Sequence, residues 1–144
     1  MKVLFLCTRN ACRSQMAEGL LRDLSKGEVE SFSAGTDPKA VHPMAVEVMG
    51  AMGIDISGQT SKHIDAFRRE TFDYVITVCD SVKEACPTWP TATEDIYWSF
   101  EDPERLEGTD RARQVFMAVR DAIAQRIRLF LLAHRVGVET PRKG

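Results

Sequence analysis

The chain reads as a small α/β domain with a parallel sheet, and three observations predict it. An apolar run, Val3-Leu-Phe-Leu6, is followed within a few residues by an amphipathic stretch with Met16, Ala17, Leu20, Leu21 and Leu24 at helical spacing. A β-branched run, Asp73-Tyr-Val-Ile-Thr-Val-Cys79, gives a second clear strand far along the chain. Strand-like and helix-like segments alternate throughout, with no internal repeat and no linker. That is the pattern of a sheet whose parallel strands are joined by helical crossovers in a three-layer domain.

Each element follows in order. Residues 2–6 form the first strand, and residues 14–26 form a helix closed by Gly27. Residues 28–34 alternate apolar positions and form the second strand. Gly35-Thr-Asp-Pro38 is a turn. Pro43 opens a helix that places Ala45, Val48, Met49 and Met52 on one face, and Gly53 ends it. This methionine stripe is core filling rather than a ligand set. Residues 55–72 are polar and broken, with short helical turns. Residues 73–79 form the third strand. Residues 80–86 have a short helical pattern, stopped by Pro87 and Pro90, and residues 95–99 form the fourth strand. Thr109 caps a last helix that runs to about residue 136, with Phe116, Val119, Ile123, Ile127 and Leu131 inward and Gly137 at its end. Its arginines, at 111, 113, 120, 126 and 128, form mostly a solvated face. Residues 1–138 make one domain, and residues 139–144 a frayed tail.

Composition bounds the function. A length of 144 residues, 44% of them hydrophobic, is enough for one proper core. The net charge of −2 offers no broad basic face, which disfavours nucleic acid as a partner. No apolar run reaches the ~18 residues of a membrane span, and the N-terminal run is too short for a signal peptide. The cytoplasm is the expected location. Four cysteines there start reduced, so a disulfide is more readily catalytic than structural. Cysteines and His42, His63 and His134 show no zinc spacing, so no metal and no cofactor is expected. His42 stands at a helix start or on the surface.

The chemistry centres on Cys7-Thr-Arg-Asn-Ala-Cys-Arg13-Ser14, a strand-to-helix turn. A loop that wraps into a helix N-terminus points backbone N–H groups inward, and the helix dipole adds partial positive charge. Arg13 adds a planar charged fork suited to a tetrahedral oxyanion. The same field favours a thiolate on Cys7, and the Ser14 hydroxyl is placed to donate to it. No Gly-Lys-Ser/Thr follows, so this is not the nucleotide-binding loop. The bland alternative is a buried cysteine at a strand end.

Ligands in parallel sheets lie at the C-terminal ends of the strands, and Cys7 and Cys79 both end strands, placing both at one crevice. Cys79 and Cys86 are seven residues apart. A helix between them separates them by roughly 10 Å along its axis, whereas a disulfide needs Cα atoms within about 7 Å. The pair closes only if residues 80–86 unwind; otherwise the two are inert buried thiols. Asp102 in Glu101-Asp-Pro-Glu104 has two readings. It is an N-cap followed by Pro103 and first-turn Glu104, or an acid placed to protonate a leaving oxygen.

At this point the chain resembles the thioredoxin-coupled arsenate reductases, which share the low-molecular-weight tyrosine phosphatase fold. The likeness begins with residues 7–19 and takes in Ser33-Ala-Gly35, Pro43, Gly53-Ile-Asp-Ile-Ser57, Val78-Cys79, Cys86-Pro87, Trp98-Ser-Phe-Glu-Asp-Pro103 and Val119-Arg-Asp121. The resemblance implies a four-stranded parallel sheet in the order 2-1-3-4. It implies Cys7 as nucleophile, and an oxyanion held by Thr8, Arg9, Asn10, Ala11, Cys12 and Arg13. It makes Asn10 and Ser14 the thiolate-stabilising residues and Asp102 the acid. Cys79 would attack Cys7, and Cys86 would attack Cys79. The implied substrate is arsenate, with phosphate or sulfate able to occupy the same loop. The implied electron donor is thioredoxin, with glutaredoxin or a small thiol as alternatives, and a monomer is expected.

Two departures stand out, while Cys12 matches a second loop cysteine of both reductases and phosphatases. Arg9 replaces a glycine common among relatives, and bears strain if that position needs positive φ. Lys62 stands where an acid would complete a monovalent-cation site with Asn10, Glu18 and Ser33, so its ammonium would replace the cation. Cys12 fits packing better than redox chemistry. The rival function is a low-molecular-weight tyrosine phosphatase, which has no use for Cys79 and Cys86. A non-enzymatic oxyanion or thiol sensor is disfavoured because nucleophile, acid and relay thiols are all present.

Overall fold

The structure, a computed structural model, describes residues 1–79 and 94–134. Four strands form one sheet: β1 (Lys2–Cys7), β2 (Glu30–Gly35), β3 (Tyr74–Cys79) and β4 (Glu94–Ser99). Their order is β2-β1-β3-β4, and every pairing is parallel. A parallel sheet needs cover on both faces, which is why the central strands are nearly continuous apolar runs. Val3, Leu4, Phe5 and Leu6 of β1 are fully buried.

The pleat divides these residues between two cores. Val3, Phe5 and Cys7, with Ile76, Val78 and Trp98, face a large core built with α1 (Arg13–Leu24), α2 (Pro43–Ala51) and α3 (Ala112–Ala133). Leu4, Leu6 and Val75 face a smaller one. There the described cover is a short 3₁₀ turn, Ile64–Phe67, plus Phe72, with Phe32, Phe67 and Phe72 packed edge to face. The helical periodicities hold. Met16, Ala17, Leu20 and Leu21 of α1, Ala45, Val48 and Met49 of α2, and Phe116, Val119, Ile123, Ile127 and Leu131 of α3 are buried. Full burial of such side chains contributes about 1.5–3 kcal/mol each.

Element limits differ from the sequence reading by a few residues. β1 runs one residue further, to Cys7, and β2 starts two later and takes in Gly35. The cap of α3 is Arg111 rather than Thr109. The Thr109 hydroxyl instead donates to Leu106 O at 2.6 Å, closing the preceding turn, and accepts from Arg111 N at 3.3 Å. Arg120 departs from the expected solvated face. It is 7% exposed and donates through Nη1 to Val48 O at 2.7 Å, supplying a C-terminal carbonyl of α2 with a partner. The expected helix over 80–86, the end at Gly137 and the tail at 139–144 lie outside the described residues.

Candidate active site

Strand β1 delivers Cys7 to the C-terminal edge of the sheet, in register with Gly35 of β2. The chain then turns through residues 8–12 into α1. The carbonyls of this loop are all taken from outside the turn's concave side. Thr8 O accepts from Asp37 N at 2.8 Å, Arg9 O from Lys39 N at 2.9 Å, and Ala11 O from His42 N at 3.0 Å. Cys12 O accepts from Met16 N, and Asn10 O from both Gln15 Nε2 (2.9 Å) and Ser61 Oγ (2.7 Å). With the carbonyls committed outward, the loop has the form of an anion-binding nest. Gly35 makes the close approach of β2 feasible: a Cβ there would lie 2.5 Å from Thr8 O and 2.7 Å from Cys7 O.

Asn10 is the hub. Its φ is +49°, so the left-handed residue of the loop is Asn10 and not Arg9, and the expected strain at Arg9 does not arise. Asparagine tolerates this region better than most side chains. The Asn10 Oδ1 accepts from Lys62 N (2.8 Å) and Gln15 Nε2 (3.0 Å), while Nδ2 donates to Ser14 Oγ at 2.9 Å. Asn10, Ser14 and Gln15 are all fully buried. The sequence reading missed Gln15 as a brace. Its polar side chain in the first turn of an otherwise inward-facing segment was the available signal.

Cys7, Thr8, Arg9, Ala11, Cys12, Arg13, Asp102 and Glu104 line a cavity of about 200 Å³, room for a tetrahedral oxyanion. Cys7 is buried and outside any disulfide. Arg13, 4% exposed, donates to Phe100 O at 3.1 Å and so ties α1 to the segment that carries Asp102. Asp102 takes up the capping reading and faces the cavity. It caps the 3₁₀ turn Pro103–Leu106, accepting from Glu104 N at 3.0 Å, and it stands on the cavity wall.

Glu104, expected only as a first-turn residue, bridges to the loop. Its Oε2 accepts from Arg9 Nη1 at 2.8 Å and its Oε1 from Cys12 Sγ at 3.3 Å. The bond to Glu104 holds the Arg9 guanidinium more firmly protonated. Burial first, then Glu104, pushes the Cys12 thiol far above the ordinary range.

His42 stands where a helix start was expected. Its Nδ1 accepts from Met44 N as the α2 cap, its ring packs on Phe116, and Nε2 lies 2.9 Å from Glu107 Oε1. Glu18, Ser33 and Lys62 cluster beneath the loop. Ser33 Oγ donates to Glu18 Oε1 at 2.6 Å, and the Lys62 ammonium lies 3.6 Å from that same oxygen. Among the described residues, no group of three or more His, Cys, Asp or Glu is arranged to hold a metal ion.

Cys79 ends β3, next to β1, and is fully buried and disulfide-bonded. It reaches the same edge of the sheet as Cys7, one strand over. Tyr97 Oη donates to Cys79 O at 2.8 Å. Cys86 lies outside the described residues.

Comparisons with known proteins agree with this geometry. The family model for low molecular weight phosphotyrosine protein phosphatase matches residues 2–140. An arsenate reductase of Halalkalibacterium halodurans is 44% identical over 129 residues, covering 89% of this chain and 93% of that one. A glutaredoxin arsenate reductase of Synechocystis is 40% identical over 128 residues, 88% of this chain and 92% of that one. Among solved structures, an arsenate reductase in the phosphate binding state superposes with a TM-score of 0.78 at 38% identity, covering 94% of this chain and 98% of that one. A Corynebacterium glutamicum thioredoxin-dependent arsenate reductase gives a TM-score of 0.67 at 31% identity, over 95% of this chain and 63% of that one. With its loop, acid turn and strand order in place, the chain belongs to the arsenate reductase branch of the low-molecular-weight phosphotyrosine protein phosphatase family.

Proposed function

We propose that this chain reduces arsenate to arsenite by a three-cysteine relay. The observation that carries the reading is a buried Cys7, outside any disulfide, at an oxyanion-sized pocket one strand away from an already oxidised Cys79. Arsenate would sit in the loop, held by the N–H groups of residues 8–13 and by the Arg13 fork. Asn10 and Ser14, in contact with each other, would hold the loop around the thiolate. The Cys7 thiolate attacks arsenic, an S–As bond forms, and an oxygen leaves as water with a proton from Asp102.

The Cys79 thiolate then attacks the sulfur of Cys7. The S–As bond breaks, its electron pair goes to arsenic, and arsenite departs in the +3 state as a Cys7–Cys79 disulfide forms. Cys86 attacks Cys79 and frees Cys7. A protein dithiol reduces the resulting bond; thioredoxin is the donor of choice, with glutaredoxin the rival that the Synechocystis relative suggests. A Cys7 outside any disulfide alongside an oxidised Cys79 fits the stage after the second exchange.

Residues 1–138 would act as one monomeric, cytoplasmic unit with no cofactor or metal. The second reading is hydrolysis of aryl or protein tyrosine phosphate, favoured by the same pocket and acid. It leaves the disulfide at Cys79 without a role, so hydrolysis is assigned as a weak side activity.

The test supplies arsenate, thioredoxin, its reductase and NADPH, and follows NADPH loss. Arsenate-dependent loss that Cys79→Ser stops, while the variant still hydrolyses aryl phosphate, is the expected result. A Cys86→Ser variant should halt after one turnover with Cys7 bonded to Cys79. Brisk hydrolysis with no NADPH loss, whichever donor is supplied, would promote the phosphatase.

A further inference from the structure

We propose that Glu104 is a positioning residue that clamps the turn carrying Asp102 to the oxyanion loop, and that the same clamp keeps Cys12 from becoming a second nucleophile in the pocket. Both oxygens of one carboxylate are used: one takes Arg9 Nη1 at 2.8 Å, the other the Cys12 thiol at 3.3 Å. The Glu104 N–H is in turn held by Asp102 Oδ1 at 3.0 Å. The acid, its neighbour and the two ends of the loop thus form one connected set around the cavity.

The geometry distinguishes the loop's two thiols. A sulfur 3.3 Å from a carboxylate oxygen must keep its proton to make that contact, because a thiolate there would face the like charge of the carboxylate. The groups facing Cys12 act in one direction: Glu104 and Asp102 from the acid turn and Cys7 from the loop all oppose its ionisation, and burial adds to them. Arg9, the nearby cation, is engaged by Glu104 and so spent on the carboxylate rather than on the thiol. Cys12 is therefore reserved as a hydrogen-bond donor, and Cys7 is left as the thiol that reacts.

The clamp also fixes the charge of the pocket mouth. Arg9 is 57% exposed at its side chain, whereas Glu104 is 14% exposed, so the carboxylate is the better-buried partner and masks the guanidinium. Removing the carboxylate's charge would release Arg9 toward an incoming dianion while loosening Asp102.

The inference rests on the proposed oxyanion reading only for its second arm, and Glu104→Gln is the informative change. In a Cys7→Ser background, alkylation of Cys12 by iodoacetamide is followed by peptide mapping from about pH 7 to about pH 10. The expected result is labelling about tenfold faster in Glu104→Gln, with the onset moved to lower pH. Equal rates across the range would overturn the proposal. In the chain with Cys7 intact, Glu104→Gln should bind inorganic phosphate about two- to fivefold more tightly by calorimetry while its kcat for aryl phosphate falls about tenfold. A merely structural role would weaken both, and that result would also overturn it. Faster Cys12 labelling without phosphate binding by either protein would uphold the clamp and sink the oxyanion reading instead.

Discussion

The oxyanion loop and the acid turn meet across one cavity, but they are held in different ways. The loop over residues 8–12 is fixed by its own main chain: its carbonyls bond to Asp37, Lys39, His42, Met16, Gln15 and Ser61, and Asn10 braces it from below. The turn Pro103–Leu106 is fixed to the loop by side chains, through Glu104 to Arg9 and Cys12, while Glu107 reaches His42. Main-chain bonds in buried surroundings are costly to break and insensitive to titration. The Arg9–Glu104 ion pair, half exposed on the arginine side, is screened by salt, and either carboxylate contact is removable by a single substitution. The loop that carries the proposed nucleophile is therefore the permanent half of the site, and the turn that carries the proposed proton donor is adjustable.

Substitutions in the two halves should separate them. Cys7→Ser, at the centre of the permanent half, should remove arsenate reduction and aryl phosphate hydrolysis together, by roughly 10⁴-fold or more; residual turnover of either by that variant would break the comparison. Arg13→Lys keeps the charge but loses the fork, and steady-state kinetics should show a loss of about 10²–10³ in kcat. Asp102→Asn, in the adjustable half, should lower aryl phosphate turnover by about 10²-fold while leaving inorganic phosphate affinity within about twofold. Gly35→Ala should act on stability first, because the added carbon meets the carbonyls of Thr8 and Cys7; thermal melting should register about 1–3 kcal/mol. The smallest effect is expected from potassium. With the Lys62 ammonium beside Glu18, activity in sodium and potassium buffers should agree within about twofold, and a steep rise with potassium would remove Lys62 from that role.

Much of the frame was legible because it rests on local patterns. Val3 to Leu6, the helical stripe from Met16 to Leu24 and the run ending at Cys79 announce two strands and a helix by periodicity alone. The strand order required the family resemblance, since spacing does not say which strand β2 flanks. Side-chain partnerships were the least legible. Nothing in Asp102-Pro-Glu104 distinguishes a Glu104 that helps cap a turn from one that spans 92 positions to reach Cys12. The burial of Arg120 likewise depends on where α2 ends, a tertiary fact that composition does not carry. Arg9 was misjudged for a third reason. The left-handed residue sits one place further on, at Asn10, where a short amide side chain can serve backbone and side-chain partners at once.

Strand β1 lies between two hydrogen-bonded neighbours, and Cys7 is its last residue, matched to Gly35. A sulfur anchored in the middle of a sheet is a stationary electrode. In the proposed relay the second thiol must come to it, while the strand that holds Cys7 stays where it is.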